Sequence, residues 1–180
     1  MVIFFMPHLN VEIKAIVNDP SFVRDYLVDH NAILKGTDEQ TDTYFNVNSG
    51  RLKLREGNIE NNLIFYNRTN QAGPKSSHFN LVKIEDANGL KEVLERSCGI
   101  KMIVRKKREI YYIDNVKFHI DDVPGLGFFI EIEAGNILAD KTESELLDQC
   151  NFYLKELGIK EEDLVAESYS DLLMKVNGAI

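Results

Sequence analysis

The sequence predicts an α+β fold, an antiparallel sheet with helices packed outside it. Three observations carry that expectation. Eight segments alternate polar and apolar residues or are rich in β-branched ones, the pattern of strands whose neighbouring side chains face opposite ways. Turn signals, "NSG" at 48–50, "EGN" at 56–58 and "DN" at 114–115, join several of them as hairpins. Four further segments have the caps and spacing of helices.

The first strand is expected over 10–17, with Val11 and Ile13 on one face and Glu12 and Lys14 on the other. Asp19 then caps a helix with Pro20 at its first position, running to about His30. Strands follow at 41–47, 51–56 and 62–68. In "RLKLRE", Arg51, Lys53 and Arg55 oppose Leu52 and Leu54, and in "LIFYNR", Ile64, Tyr66 and Arg68 share a face. The polar "QAGPKSS" at 71–77 lacks P-loop spacing and leads into a strand at 77–84. Residues 88–98 set Leu90, Val93 and Leu94 on one helical side and stop at Gly99. Strands at 101–113, 115–121 and 127–134 come next. Lys106 and Arg108 share a face of the first, and Lys117, His119 and Asp121 one of the second. On the third, Phe129, Glu131 and Glu133 alternate with Ile130 and Ile132. Thr142 and Glu145 have capping-box spacing before a helix ending near Gly158. "KEEDL" reads as a turn, and 168–176 as a final helix.

A chain of 180 residues without repeats or long linkers suits a single domain over 1–180. Its net charge of −8 argues against nonspecific attraction to nucleic acid or an anionic membrane, so any local cluster of base is informative. Cys98 and Cys150 make no metal-ligand spacing and read as reduced thiols of a cytoplasmic protein. The opening "MVIFFMPH" lacks a basic n-region and is too short for a signal or a span. It reads as an upstream start ahead of Met6 or the edge of the first strand.

The strand faces carry the functional signal. The face opposite the charges is strongly apolar on several strands and needs cover, which the helices can supply. The charged faces then collect on the other side of the sheet. If that side curls inward, the product is a barrel with a polar lumen, the reverse of most small barrels. Buried charges need partners. Lys14, Lys53, Arg55, Arg68, Lys106 and Arg108 outnumber Glu12, Glu131 and Glu133, so a polyanion would balance them. Glu131 and Glu133 project from one face, and with Glu12 they could hold a hard divalent cation that bridges to phosphate.

These residues resemble the CYTH superfamily, the triphosphate-tunnel metalloenzymes that include class IV adenylate cyclases and thiamine triphosphatases. The signature Glu-x-Glu-x-Lys stands here as Asn10-Val-Glu12-Ile-Lys14, and "LKLR", Lys106-x-Arg108 and "IDDVPGLGFFIEIE" at 120–133 follow in the family's order. The resemblance covers a core of about 8–175. It implies an eight-stranded antiparallel tunnel with helices outside. It implies Mg²⁺ or Mn²⁺ on Glu12, Glu131 and Glu133, and the triphosphate on Lys14, Lys53, Arg55, Arg68, Lys106 and Arg108. Lys14 and Asp121 would be the catalytic residues, Asp121 orienting metal-bound water or substrate. Asn10 departs from the family's first glutamate and offers a carbonyl oxygen without charge. Lys75 is an alternative to Arg68, and His119, beside Asp121, could shuttle a proton.

The implied activity is that of a class IV cyclase, converting ATP to cyclic AMP and pyrophosphate. A triphosphatase acting on inorganic or thiamine triphosphate is the nearest alternative, and a non-catalytic nucleotide or polyphosphate-binding module another. A nucleic-acid-binding barrel fits poorly, because aromatic and basic residues do not interleave on an open face. The partner expected is a small triphosphate, the protein a monomer or homodimer.

Overall fold

A computed structural model of the chain describes residues 8–178, so the apolar start, Met1–Pro7, lies outside the described residues. Eight antiparallel strands close into a ring in the order β1-β5-β4-β3-β2-β6-β7-β8. They are β1 (His8–Val17), β2 (Ile33–Phe45), β3 (Arg51–Glu56), β4 (Asn62–Asn67), β5 (Lys75–Lys83), β6 (Ile100–Ile113), β7 (Val116–Val123) and β8 (Gly127–Gly135). Helices α1 (Ser21–Asp29), α2 (Ala87–Cys98), α3 (Glu143–Glu156) and α4 (Tyr169–Val176) lie outside the strand ladder.

Most elements fall where the pattern puts them. The exception is β2, which begins at Ile33 rather than 41, because its first half carries Lys35, Asp38 and Glu39 and a glycine at φ +140°, Gly36. The β6–β7 hairpin turns on Asp114 (φ +50°), a left-handed position that aspartate tolerates. Pro20 occupies the cap position of α1 rather than its first turn, and Asp19 instead accepts from the Ser21 N–H at 2.9 Å. Thr142 forms the capping box with Glu145, and Ser168 forms a second with Asp171. The leucine-bearing side of α2 finds no deep cover: Val93 is exposed and no residue of that helix is buried.

The main apolar core lies outside the ring. Val11 and Ile13 of β1, Phe118 and Ile120 of β7, and Ile130 and Ile132 of β8 pack under Val23 and Leu27 of α1 and Leu146 and Cys150 of α3. The alternate residues of the same strands point inward. At one end of the ring, Tyr169, Leu172 and Leu173 of α4 pack against the inward-facing Val104, Val123 and Phe129. Tyr169 meets Phe129 edge-on, with ring centres 5.0 Å apart. Among the described residues, no helix is long and apolar enough to cross a membrane.

Candidate active site

The inward faces enclose a cavity of about 270 Å³. Seven cations line it, Lys14, Lys53, Arg55, Arg68, Lys106, Arg108 and Lys117, with five carboxylates, Glu12, Asp42, Glu60, Glu131 and Glu133. A surplus of base inside a chain of net charge −8 is a local arrangement, not a by-product of composition.

Strand register explains the acidic wall. Glu12 lies opposite Glu133 and Lys14 opposite Glu131 where β1 pairs with β8. On the other side of β8, Lys117 faces Glu133 and His119 faces Glu131. His119, Glu131 and Glu133 present ligand atoms within 4.8 Å of one another. His119 Nδ1 is 3.4 Å from Glu131 Oε2 and 3.6 Å from Glu133 Oε1, while its Nε2 is buried without a partner among the described residues. Burial, and then Arg108, lower the His119 pKa and favour the neutral imidazole that ligates metals. Glu12 stands beside this group, with its Oε1 2.9 Å from Arg68 Nε. Burial raises its pKa, Arg68 opposes that, and Glu133 and Glu131 reinforce it. Two carboxylates, an imidazole and a third carboxylate next to them fit a divalent cation. The structure thus gathers Glu131 and Glu133 as expected, adds His119, and keeps Glu12 close but tied to Arg68.

The basic wall is organised by a carboxylate the sequence reading passed over. Asp42, 1% exposed, accepts from Lys53 Nζ at 2.9 Å, from Lys106 Nζ at 2.8 Å, and from Arg55 through Nε at 2.8 Å and Nη2 at 2.9 Å. Burial alone would raise its pKa, yet Arg55, Lys106 and Lys53 hold it well below the usual carboxylate range. Glu60, carried by the β3–β4 turn, accepts one N–H of Arg55 Nη1 at 2.9 Å and lies 3.6 Å from Lys117. That turn is fixed by Asp38, which accepts from the Ile59 and Glu60 N–H groups. The excess of base is therefore smaller than the six cations and three glutamates of the sequence reading suggest. The signal for Asp42 was its alternation with Gln40 and Tyr44 on β2.

Arg108 links the two walls. It reaches Asp121 through Nε at 2.6 Å and Nη2 at 2.5 Å, and Glu131 through Nη2 at 2.6 Å. Asp121 is fully buried behind it, does not line the cavity, and also accepts from the Tyr169 hydroxyl at 2.7 Å. Lys14 Nζ lies 3.2 Å from Glu131 and 3.8 Å above the Tyr169 ring. Arg68, one residue past β4, donates to the Ala166 carbonyl, and Lys75 to those of Gln71 and Val165. Arg68 lines the cavity and Lys75 does not. The 71–74 loop is likewise absent from the cavity wall. The opposite end from α4 carries apolar residues, with Leu81, Tyr112, Ile137 and Leu138 lining the cavity there.

The family model described as the CYTH domain matches residues 8–169. The chain belongs to the CYTH family. CYTH proteins act on triphosphate compounds, and the tunnel metalloenzymes among them use divalent metals. This CYTH chain is 35% identical over 94 residues to a Methanocaldococcus jannaschii protein named "Putative adenylate cyclase MJ0240". That match spans about half of each chain, 51% of this one and 52% of the relative. A conserved hypothetical protein from Pyrococcus furiosus superposes with a TM-score of 0.77 at 27% identity, over 91% of this chain and 99% of that one. The Hippeastrum protein HpAC1, named a "putative adenylyl cyclase" with a dominant triphosphatase activity, superposes with a TM-score of 0.61. At 16% identity, over 95% of this chain and 96% of that one, it shares the fold.

Proposed function

We propose that this CYTH domain is a metal-dependent, adenylate cyclase-like enzyme that binds a nucleoside triphosphate in the cavity. One observation carries the reading: the His119, Glu131 and Glu133 cluster on β7 and β8 faces the basic pair Lys53 and Arg55 on β3, half-way round the ring. A polyphosphate lying between the two walls meets cations on one side and metal-ligating groups on the other. Glu131, Glu133 and His119, with Glu12 beside them, would hold Mg²⁺ or Mn²⁺. Bound there, the ion would polarise phosphoryl oxygens and offset their charge.

The protein's own groups supply the rest. Lys53, Arg55, Lys106 and Arg108 would donate to nonbridging oxygens and stabilise the charge that develops there. Asp121 would act through Arg108, fixing the guanidinium rather than touching substrate. Lys14, between Glu131 and the Tyr169 ring, would hold the phosphate nearest the closed end. In a cyclase the ribose 3′-hydroxyl attacks the α-phosphorus and pyrophosphate leaves. The apolar end at Leu81, Tyr112 and Leu138 supports a substrate with an organic group, as does the name of the M. jannaschii relative.

Hydrolysis is the second reading, supported by the activity named for the Hippeastrum protein. Water would then attack the terminal phosphorus, using the same walls. Incubation with Mg²⁺ or Mn²⁺ and, separately, ATP, inorganic triphosphate and thiamine triphosphate separates the two. Cyclic AMP with pyrophosphate establishes the cyclase, and orthophosphate the hydrolase. Tight binding without turnover would make the domain a binding module.

A further inference from the structure

The basic wall has an internal organiser. Asp42 lies in the last third of β2, and its carboxylate gathers donors from both neighbouring strands. Arg55 is its direct cross-strand partner on β3, Lys53 is two residues away on that strand, and Lys106 reaches it from β6, where it pairs with Gln40. All three cations line the cavity. Arg55 is held by two parallel N–H bonds, which fix the plane of its guanidinium. Each lysine uses one ammonium N–H on Asp42 Oδ2, leaving two for a ligand.

From this geometry we infer that Asp42 is a positioning residue: it holds Lys53, Arg55 and Lys106 together as one phosphate-binding claw and keeps Lys106 protonated for its ligand. The inference rests on the triphosphate-binding reading above. A phosphate would not replace Asp42. The carboxylate repels it and instead sits behind the cations that receive it.

The need for such a residue follows from crowding. Around the Lys106 ammonium stand Asp42 of β2, Lys53 and Arg55 of β3, Arg108 of β6 itself, Asp121 of β7 and the Tyr169 ring of α4. Three of those neighbours are cations, and the side chain is buried: Lys106 is 3% exposed. Burial is the largest influence on this amine and Asp42 the main opposing one, with Arg55, Arg108 and Lys53 adding to burial. The balance brings Lys106 down to about 7. An uncharged amine would donate weakly and leave phosphate charge unmatched. Asp42 is thus what keeps the lysine usable at neutral pH.

The test is calorimetric binding of inorganic triphosphate in Mg²⁺ between pH 5 and 9. In wild type, affinity should fall as pH rises past the Lys106 titration. Asp42→Asn, which keeps the shape and removes the charge, should move that fall down by about one pH unit or more, and Asp42→Glu should move it part of the way back. A folded Asp42→Asn protein with an unmoved pH profile overturns the inference. Should Asp42→Asn fail to fold, Lys106→Arg decides, because arginine stays charged throughout. It should flatten the profile, leaving the contributions of Lys14, which burial also lowers, and of Lys75 outside the cavity wall, and a profile like wild type overturns the inference. Absence of triphosphate binding by wild type at every pH overturns the triphosphate reading itself, and this inference with it.

Discussion

Glu12 and Glu133 stand directly opposite each other on β1 and β8, and both face the lumen. Like charges in that relation repel, and here the surroundings are largely shut from solvent. Arg68 relieves Glu12, and Lys117 lies across from Glu133 on the far side. A dication placed between the carboxylates would relieve both.

Metal should therefore stabilise the protein. Mg²⁺ or Mn²⁺ at about 100 times its dissociation constant should add about 2.7 kcal/mol, a rise in Tm of about 5–10 °C for a chain of this size. Glu133→Gln should keep the fold, remove most of that rise and abolish turnover. Thermal melts with and without metal check this, and an equal rise in the variant would remove Glu133 from the metal site.

Asn10 should weaken metal binding relative to a glutamate there. Its Oδ1 lies against the Cα side of Gly135, where an added Cβ would come within 2.6 Å, so the short amide is packed into a specific niche. Asn10→Glu should lower the half-saturating metal concentration several-fold, as read by melting at graded Mn²⁺. No change would mean that position 10 faces Gly135 and not the ion.

Lys106 should make the free protein more stable as pH rises from 7 to 9. Burial, set against Asp42, depresses its pKa to about 7 in the folded state, while an unfolded lysine keeps about 10.5. Between those values the unfolded chain binds the extra proton, so unfolding is favoured at the acid side of the window. The slope from this group is about 1.4 kcal/mol per pH unit. Urea denaturation of wild type and Lys106→Met at pH 7 and 9 measures it. The variant should lack the Lys106 share of the rise and keep those of Lys75, pushed down to about 8 by burial, Arg68 and Lys14, and of Lys14, which burial also lowers.

The two thiols should differ in reactivity. Cys150 is fully buried, its Sγ lies 3.0 Å from the Val11 carbonyl oxygen, and burial pushes its pKa up to about 12. Cys98 ends α2 and is partly exposed. A thiol reagent should modify one cysteine in the native protein and both in urea. Two rapid equivalents in the native state would contradict the packing of α3 on β1.

Leu146→Ala should cost about 2–5 kcal/mol, because it empties part of the outer core beneath α3. Triphosphate affinity of the folded variant should be unchanged. A loss of affinity as large as the loss of stability would mean that core and cavity are coupled through the sheet.

Much of this was legible in the sequence. Strands such as β1, β3 and β8 expose their two faces as plain alternation, and period-2 patterning fixes which residues look inward. That is why Lys14, Lys53, Arg55, Glu131 and Glu133 meet in one cavity. The first half of β2 was obscured because Lys35, Asp38 and Glu39 look like a charged loop and Gly36 breaks the rhythm. Asp42 was missed for a related reason. A search for cations that need a ligand overlooks an acid already placed among them. Glu60 could not be placed at all, since it arrives on a turn whose path depends on hydrogen bonds to Asp38. Asp121 was expected near the reacting end, but two N–H groups of Arg108 and the Tyr169 hydroxyl surround it, which only tertiary structure reveals.

Each strand of the ring lives under two separate selection rules. Outward positions on β1, β7 and β8 answer to volume and shape, inward ones to charge and reach. The wall between them is one backbone thick. A chain built this way can exchange its inner alphabet, and with it the chemistry, while the outer one holds the shape. The same economy has a weak point: deleting one residue within β8 would turn Glu131 and Glu133 toward α3 and Ile130 and Ile132 into the cavity, reversing both alphabets at once.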